Sequence, residues 1–532
     1  MQRQSPSIFN DIVGPIMVGP SSSHTCAPSR IGYLCQQLVK GKLQKVEIEF
    51  AKEGAYTEMY KGQRSDMGFV NGLLGHRPED PRTKDSFVLA EEAGLKVEFI
   101  ISDFIPIKPN LSRITLYSDQ DEIVRVDSDS TGGGTVKLLK IDGYDTDITG
   151  DCFELLIRTD ALGEPAERLM QECLKKIPTH EGYTLSQDQQ GSLINIKSRS
   201  KFEEDIIDAI KAMDLIKKIQ IINPILVVTS NQKAELPFHS AEELLALSEK
   251  TGKALWELAI NYEEIRSGWC PKEIKDYMRF LIETMEESIT TALQGDIQMN
   301  GILEPTAGKI DQFMKTNKHA LDMGILNLMV PWSMATMEYS SAMGVVLCAP
   351  TGGSAGVFPG AVLGAATMLN LTMDEKVKLM LTTSVIGIVM SKDCNYSAEL
   401  YGCQVEPGAA SAMAAGALVF MMDGTPKQSL MAASCALQNI LGTICDPVAG
   451  MVQLPCISRN ALSVANAVVS ANMIMGGYDP LIPLDQTTET MFRVGKQLPS
   501  ELRCTCKGGL CTTPYGQQLA KEQAERDNVR YK

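Results

Sequence analysis

What most constrains the fold of this chain is a change in the period of its apolar residues. Up to residue 150 they alternate: Val46, Ile48 and Phe50; Val97, Phe99 and Ile101; Ile114 and Leu116; Val124 and Val126; Val136 and Leu138. Period two puts every second side chain on one face, as in half-buried strands. A helical stretch carrying Ile31, Leu34 and Leu38 comes first, and Gly132-Gly133-Gly134 and Asp142-Gly143 supply turns. Residues 1–150 thus read as an α+β domain. Residues 151–228 run strand (Phe153, Leu155, Ile157), helix (Leu169 to Ile177), strand (Tyr183, Leu185), strand (Leu193, Ile194, Ile196), helix (Ile206 to Met213), strand (Ile219, Ile221). That βαββαβ order is the ferredoxin-like layout. A polar linker, 229–237, leads to residues 238–532, where nearly every apolar pattern is helical. Ser240 and Glu243 form an expected capping box there. From Gly344 onward the helices are rich in Ala, Gly, Ser and Met, small or pliable residues that suit close helix packing around a buried site. The expected fold is multidomain: an α+β N-terminal domain, a ferredoxin-like unit and a mostly all-α C-terminal domain.

A chain of 532 residues can fill about three or four domain cores. Its formal net charge of −15, without a long basic block, argues against nucleic acid and anionic membranes as partners. The fourteen cysteines are irregularly spaced in a long chain, which points to a reduced, cytoplasmic setting rather than a disulfide scaffold. No secretory leader is visible at the start. The most apolar stretches, 360–372, 379–390 and 461–476, are too short or too polar to span a bilayer. The charged end, 517–532, is expected to be a surface helix or a frayed terminus.

Three cysteines sit in unusual strings: Tyr401-Gly402-Cys403-Gln404-Val405-Glu406, Cys445-Asp446-Pro447-Val448-Ala449-Gly450 and Leu454-Pro455-Cys456-Ile457-Ser458-Arg459-Asn460. Three thiolates can hold three irons of a cubane cluster, leaving the fourth open to a substrate as a Lewis acid. Spacing alone does not separate this from buried structural cysteines. One of only five histidines, His24, lies in Gly19-Pro20-Ser21-Ser22-Ser23-His24-Thr25, just ahead of the first helix. Hydroxyls, an imidazole and helix-start amides suit carboxylate binding and proton transfer, or equally a serine-rich cap. Pro350-Thr351-Gly352-Gly353-Ser354-Ala355-Gly356 reads as an anion cradle of main-chain N–H groups or a tight helix–helix turn. It lacks the Lys-Ser/Thr ending of a nucleotide loop. Asn395, Ser397, Gln404 and Glu406 flank Cys403 and are candidates to position substrate polar groups.

In order and wording these strings resemble the iron–sulfur-dependent L-serine dehydratases. The resemblance covers essentially the whole chain and implies a fused β-type domain (1–150), an ACT domain (151–228) and an α-type catalytic domain (238–532). It implies that Cys403, Cys445 and Cys456 ligate a [4Fe-4S] cluster. It further implies that Ser21, Ser22, Ser23, His24 and Thr25 contribute catalytic groups, and that Thr351, Gly352, Gly353 and Ser354 hold the substrate carboxylate. The family ending Leu-Arg-Cys-Thr-x-x-Gly-Gly-Leu falls at 502–510. Cys504, Cys506 and Cys511 are denser than that ending requires. Some relatives cap the open iron with a terminal cysteine, which the ending Arg530-Tyr531-Lys532 does not offer. Where many relatives read Lys-Gly-His-Gly-Thr-Asp, this chain reads Lys61-Gly62-Gln63-Arg64-Ser65-Asp66. Arg64 could pair with an extra carboxylate or phosphate on a larger substrate, or point to solvent.

The implied activity is conversion of L-serine to pyruvate and ammonia. Alternatives are a lyase acting on threonine, cysteine or a hydroxylated acidic amino acid, and a non-catalytic amino-acid sensor. No Ser-x-Lys-x-Arg-Gly string is present, and Lys392 lacks the rest of that pattern, so pyridoxal phosphate is not expected. A monovalent cation is left open, and a homodimer is the default because ACT modules often pair. The site is expected where the first and third regions dock.

Overall fold

The computed structural model describes residues 5–530 apart from 232, 296 and 392–395. Its strands are β1 (Ile16–Val18), β2 (Leu43–Ala51), β3 (Lys96–Ser102), β4 (Leu111–Ser118), β5 (Ile123–Gly132), β6 (Thr135–Ile141), β7 (Tyr144–Ile148), β8 (Phe153–Thr159), β9 (Gly182–Asp188), β10 (Gly191–Ser198), β11 (Ile216–Ile222) and β12 (Val345–Leu347).

The alternating runs build a six-stranded sheet of order β3-β2-β4-β5-β6-β7, antiparallel except for the β2–β3 pair. Its inward positions Val46, Ile48, Phe50, Ile114, Leu116, Val124 and Val126 are buried with Ile31, Leu34, Phe69 and Val70 from helices Ala27–Cys35 and Ser65–Leu73. Burying each such side chain contributes about 1.5–3 kcal/mol, which fixes the register, since a one-residue slip would turn the whole set to water. Helices Tyr56–Met59, Ser65–Leu73 and Ser86–Ala93 fill the β2–β3 connection. The parallel pair requires such a crossover, but their short, Gly-interrupted patterns do not announce helix.

A second sheet has order β11-β8-β10-β9, all antiparallel. With helices Glu164–Lys176 and Glu204–Lys211 it encloses a core of its own around Leu155, Ile157, Ile194, Ile196, Cys173 and Ile210. Strands and helices follow the βαββαβ order.

The remainder is helical, apart from β12. Helix Pro407–Met421 runs through its centre, its alanines and glycines buried all round. Small side chains there let the neighbouring helices Met373–Met390, Pro426–Gln438 and Cys456–Met475 close upon it. Two segments cross between regions. Residues Ile8–Ile12 bury Ile8, Phe9 and Ile12 in this helical core, anchored by Ser7 Oγ and Ile8 N donating to Glu263 at 2.9 and 2.8 Å. Strand β1 pairs antiparallel with β12. Three-residue strands are too short to show a period, so this seam is invisible in the sequence. Ser240 does cap its helix by accepting from Glu243 N, but Glu243 accepts from His239 N rather than closing the reciprocal box. The charged terminal helix, Pro514–Arg530, buries Gln523 and Asp527 instead of lying free. None of the described helices is long and apolar enough to cross a membrane.

Candidate active site

The seam formed by β1 and β12 delivers two loops to the same place. Residues 19–25 leave β1 and residues 349–356 leave β12. Gly352 lies where these loops touch: a Cβ there would stand 2.7 Å from Ser22 N, so only glycine fits the approach.

Within the first loop Ser21 Oγ accepts from His24 N at 3.1 Å, and Ser21 N donates to Thr25 Oγ1 at 3.2 Å. Thr25 Oγ1 in turn donates to Gln63 O at 2.7 Å. Ser22 is buried. Ser23 Oγ stands 2.8 Å from His24 Nδ1 and donates to Glu399 Oε1, also at 2.8 Å. The second oxygen of Glu399 accepts from Ser397 Oγ at 2.7 Å. Burial tends to raise the Glu399 carboxyl, but His24, Ser397 and Ser23 together bring it below its ordinary value. It is therefore ionised.

This chain of bonds sets the histidine tautomer. A hydroxyl has one proton, and Ser23 gives its own to Glu399. The Ser23–His24 bond must then run from Nδ1–H to Ser23 Oγ, which leaves the lone pair on Nε2. Nε2 is buried and has no partner. Burial depresses the imidazole pKa, with Glu399 pulling the other way, so His24 is a neutral base at neutral pH. Its ring is steadied edge-on against Tyr56, centroids 5.0 Å apart.

The thiols gather beside this network. Gly402 adopts φ +75°, a turn that favours glycine, and a Cβ there would meet Thr443 O at 2.7 Å. It swings the chain from helix Ala398–Tyr401, which carries Glu399, into Cys403. Cys403 Sγ, Cys445 Sγ and a carboxylate oxygen of Glu406 lie within 4.8 Å of one another. Cys456 opens helix Cys456–Met475, buried outside that tight trio but within electrostatic reach of Cys403 and Glu406. A hydrogen bond from Cys445 and the Arg459 guanidinium bring the Cys403 thiol below its ordinary pKa, while Cys445, which shares that proton, is held well above. Burial, then Cys403 and Glu399, raise the Glu406 carboxyl well above its ordinary value, against a hydrogen bond with Thr351 that lowers it.

Arg459 was not singled out from the sequence. It stands 3.7 Å from Cys403 Sγ and donates to Ile444 O and Asp446 Oδ1 at 2.8 and 2.9 Å, tying the Cys403, Cys445 and Cys456 segments together. Asn460 ties the same helix to the glycine loop. It donates to Gly353 O at 2.8 Å and accepts from Gly356 N at 3.2 Å. Glu399, equally unforeseen, has no motif of its own. Only its position four residues before Cys403 could have flagged it.

Other expected residues are placed differently. The Gln404 amide is spent on the main chain of Tyr401, Met491 and Gly442, which leaves it no group for substrate. Ser354 Oγ bonds within its own loop, to Thr351 and Ala349, shaping the loop rather than facing outward. Arg64 is buried, not solvent-facing. Its guanidinium donates to Asn300 O and Lys61 O and stands 3.6 Å from Asp527 of the terminal helix, so it is committed to holding that helix. Nothing about it favours an extra anionic group on the substrate. Asn395 and Lys392 lie outside the described residues.

The donor set suits a soft metal centre. Three buried thiols arrive from three separate segments, next to a guanidinium that favours thiolate. Hard cations such as magnesium select oxygen instead.

The family described as serine dehydratase alpha chain matches residues 241–511. The chain is 34% identical over 285 residues to the probable L-serine dehydratase alpha chain of Bacillus subtilis, covering 54% of this chain and 95% of that protein. It is 28% identical over 520 residues to the L-serine dehydratase of Streptomyces coelicolor, covering 93% and 96%. Against the L-serine dehydratase of Helicobacter pylori it is 25% identical over 505 residues, covering 94% and 97%.

Proposed function

The chain belongs to the serine dehydratase alpha chain family, and from that premise we propose that it is an L-serine ammonia-lyase whose reaction depends on a [4Fe-4S] cluster. It is a lyase of amino-acid metabolism that converts L-serine to pyruvate and ammonia. Cys403, Cys445 and Cys456 would hold the cluster. When bound, it supplies an iron with an open corner, a Lewis acid for the substrate's oxygens.

The protein groups then divide the remaining work. The loop at 351–354 binds the carboxylate through its main chain, with Asn460 fixing its position relative to the Cys456 helix. His24 Nε2 takes the α-proton, and Ser23 with Glu399 keeps Nδ1 protonated so that Nε2 stays basic. Glu406, beside Cys403, would bind the substrate's polar groups. Loss of water gives an enamine, which tautomerises and hydrolyses to the keto acid and ammonia.

The same reading assigns residues 151–228 to an ACT module and 1–150 to a β-type domain, with 229–237 as linker and 238–532 as the catalytic domain. It takes the protein as a cytoplasmic homodimer working without pyridoxal phosphate. The observation that carries the function is the meeting of the His24 loop with the thiol segment through Glu399. The test is product analysis under anaerobic conditions. Pyruvate and ammonia in equal amounts from L-serine are expected, with little from threonine or cysteine. Turnover confined to another amino acid would overturn the assignment of substrate.

A further inference from the structure

Cys506 and Cys511 lie outside the fixed positions of the family ending, and neither enters the chemistry above. The structure brings them together. Both donate to one acceptor, Pro447 O, at 3.4 and 3.2 Å, and the two thiols stand within hydrogen-bonding reach of each other. Gly509 makes the return possible. It takes φ +60°, and a Cβ there would lie 2.5 Å from Asp446 Oδ2, so a glycine turns the chain back from Cys506 to Cys511. Leu510 N donates to the same Asp446 oxygen at 2.9 Å. Upstream, Cys445 N donates to Leu502 O and Cys504 N donates to Cys445 O, each at 2.9 Å. Residues 502–511 are thus laced onto residues 445–447. The pair is also within reach of small molecules. Cys506 is half-buried, and both cysteines line a cavity of about 650 Å³ together with Tyr60, Lys61, Gly450 and Gln517. Cys403, Cys445 and Cys456, by contrast, are buried.

We propose that Cys506 and Cys511 are a modification site, a dithiol that small disulfides close reversibly to a Cys506–Cys511 bond, and that closing it loosens residues 445–447 and slows the enzyme. The modification stands apart from the proposed function, and its effect on turnover rests on that reading. Cys506, the more exposed sulfur, attacks one sulfur of the incoming disulfide as thiolate and expels the other as a thiolate, which takes up the proton Cys506 gave up. Cys511 then attacks the Cys506 sulfur of the mixed disulfide, and the second small thiolate leaves with the Cys511 proton. The pair loses two electrons and two protons, and one small disulfide becomes two small thiols. A disulfide has no S–H, so Pro447 O loses both thiol donors and keeps the bond from Gly450 N at 3.0 Å. The neighbouring Asp446 accepts from Arg459, whose guanidinium stands 3.7 Å from Cys403 Sγ. A shift of residues 446 and 447 is therefore passed to the thiol site.

The test uses the full chain, loaded anaerobically with iron and sulfide, treated with oxidised glutathione and then with dithiothreitol. Trypsin cuts after Arg503 and Lys507, so the two cysteines fall on different peptides, 504–507 and 508–521, and mass spectrometry without reduction reads a link between them. The linked pair, two hydrogens lighter, is expected in the wild type and in Cys504→Ser. It is expected to be absent from Cys506→Ser and Cys511→Ser, whose hydroxyls can still donate to Pro447 O. While linked, the wild type is expected to form pyruvate about tenfold more slowly and to lose iron to a chelator about tenfold faster, both restored by dithiothreitol, with Cys506→Ser and Cys511→Ser unaffected by the treatment. No link, or glutathione left on Cys506 without closure to Cys511, would overturn the proposal and leave the proposed function standing. A link without change in turnover or iron retention, or an equal loss in the two serine variants, would overturn its effect on the enzyme. A reduced wild type that makes no pyruvate would instead overturn the proposed function, and the peptide map would still decide the disulfide.

Discussion

His24 Nδ1 lies 3.4 Å from Glu399 Oε1, with Ser23 Oγ bonded to both, across 375 residues of sequence. The contact joins the region built on the six-stranded sheet to the helical region that carries the thiols. It also decides which imidazole nitrogen is basic.

Glu399→Gln tests that role. An amide cannot hold the negative charge that takes Ser23's proton, so the preference for Nδ1–H weakens. The value of kcat for L-serine is expected to fall by about a hundredfold or more. Glu399 raises the His24 pKa, so its removal should also shift the acid limb of the rate profile to lower pH. A pH–rate profile checks both. An unchanged limb would remove Glu399 from the proton path.

Asn460→Ala should loosen the glycine loop from the Cys456 helix. It strands Gly353 O, which is half-buried, and Gly356 N, which is buried. A buried polar group left without a partner costs about 1–3 kcal/mol. The melting temperature should fall and KM for L-serine should rise more than kcat falls, measured by thermal denaturation and steady-state kinetics. A fall in stability with unchanged KM would confine Asn460 to a structural role.

Asp129 gives a pH prediction independent of catalysis. Burial pushes its carboxyl up to about 7, against an ordinary value of 3.8. Between those values the folded protein keeps a proton that the unfolded chain has released. Stability therefore declines as pH rises through that window and is lowest above it. Asp129→Asn removes the cost, so its advantage in melting temperature should grow from about pH 5 to about pH 8. A constant difference would contradict the buried, protonated state.

Much of this was legible in the chain because it depends on period and spacing. The alternating residues of β2 to β6 and the βαββαβ order state their partners through burial. The three cysteine strings and the Ser21–His24 string stand out in the chain, but their residue types alone left structural readings open beside the chemical ones. Other features depend on contacts made only in three dimensions. The β1–β12 seam is three residues long on each side. Ile8, Phe9 and Ile12 are apolar like any core residues, with nothing to say that they enter the helical core. Arg64 reads as an unpaired cation until Asp527, far along the chain, comes beside it. Glu399 and Arg459 look like ordinary charges in helices until burial and partners single them out.

The central claim is that Cys403, Cys445 and Cys456 together hold the reactive cluster. The most direct measurement counts iron and acid-labile sulfide on anaerobic preparations of the wild type and the three single alanine variants, each assayed at once for pyruvate from L-serine. The account predicts about four irons and four sulfides per wild-type chain, and in each variant a parallel loss of cluster and of pyruvate. Full pyruvate formation from a wild type or variant that contains no iron would contradict it.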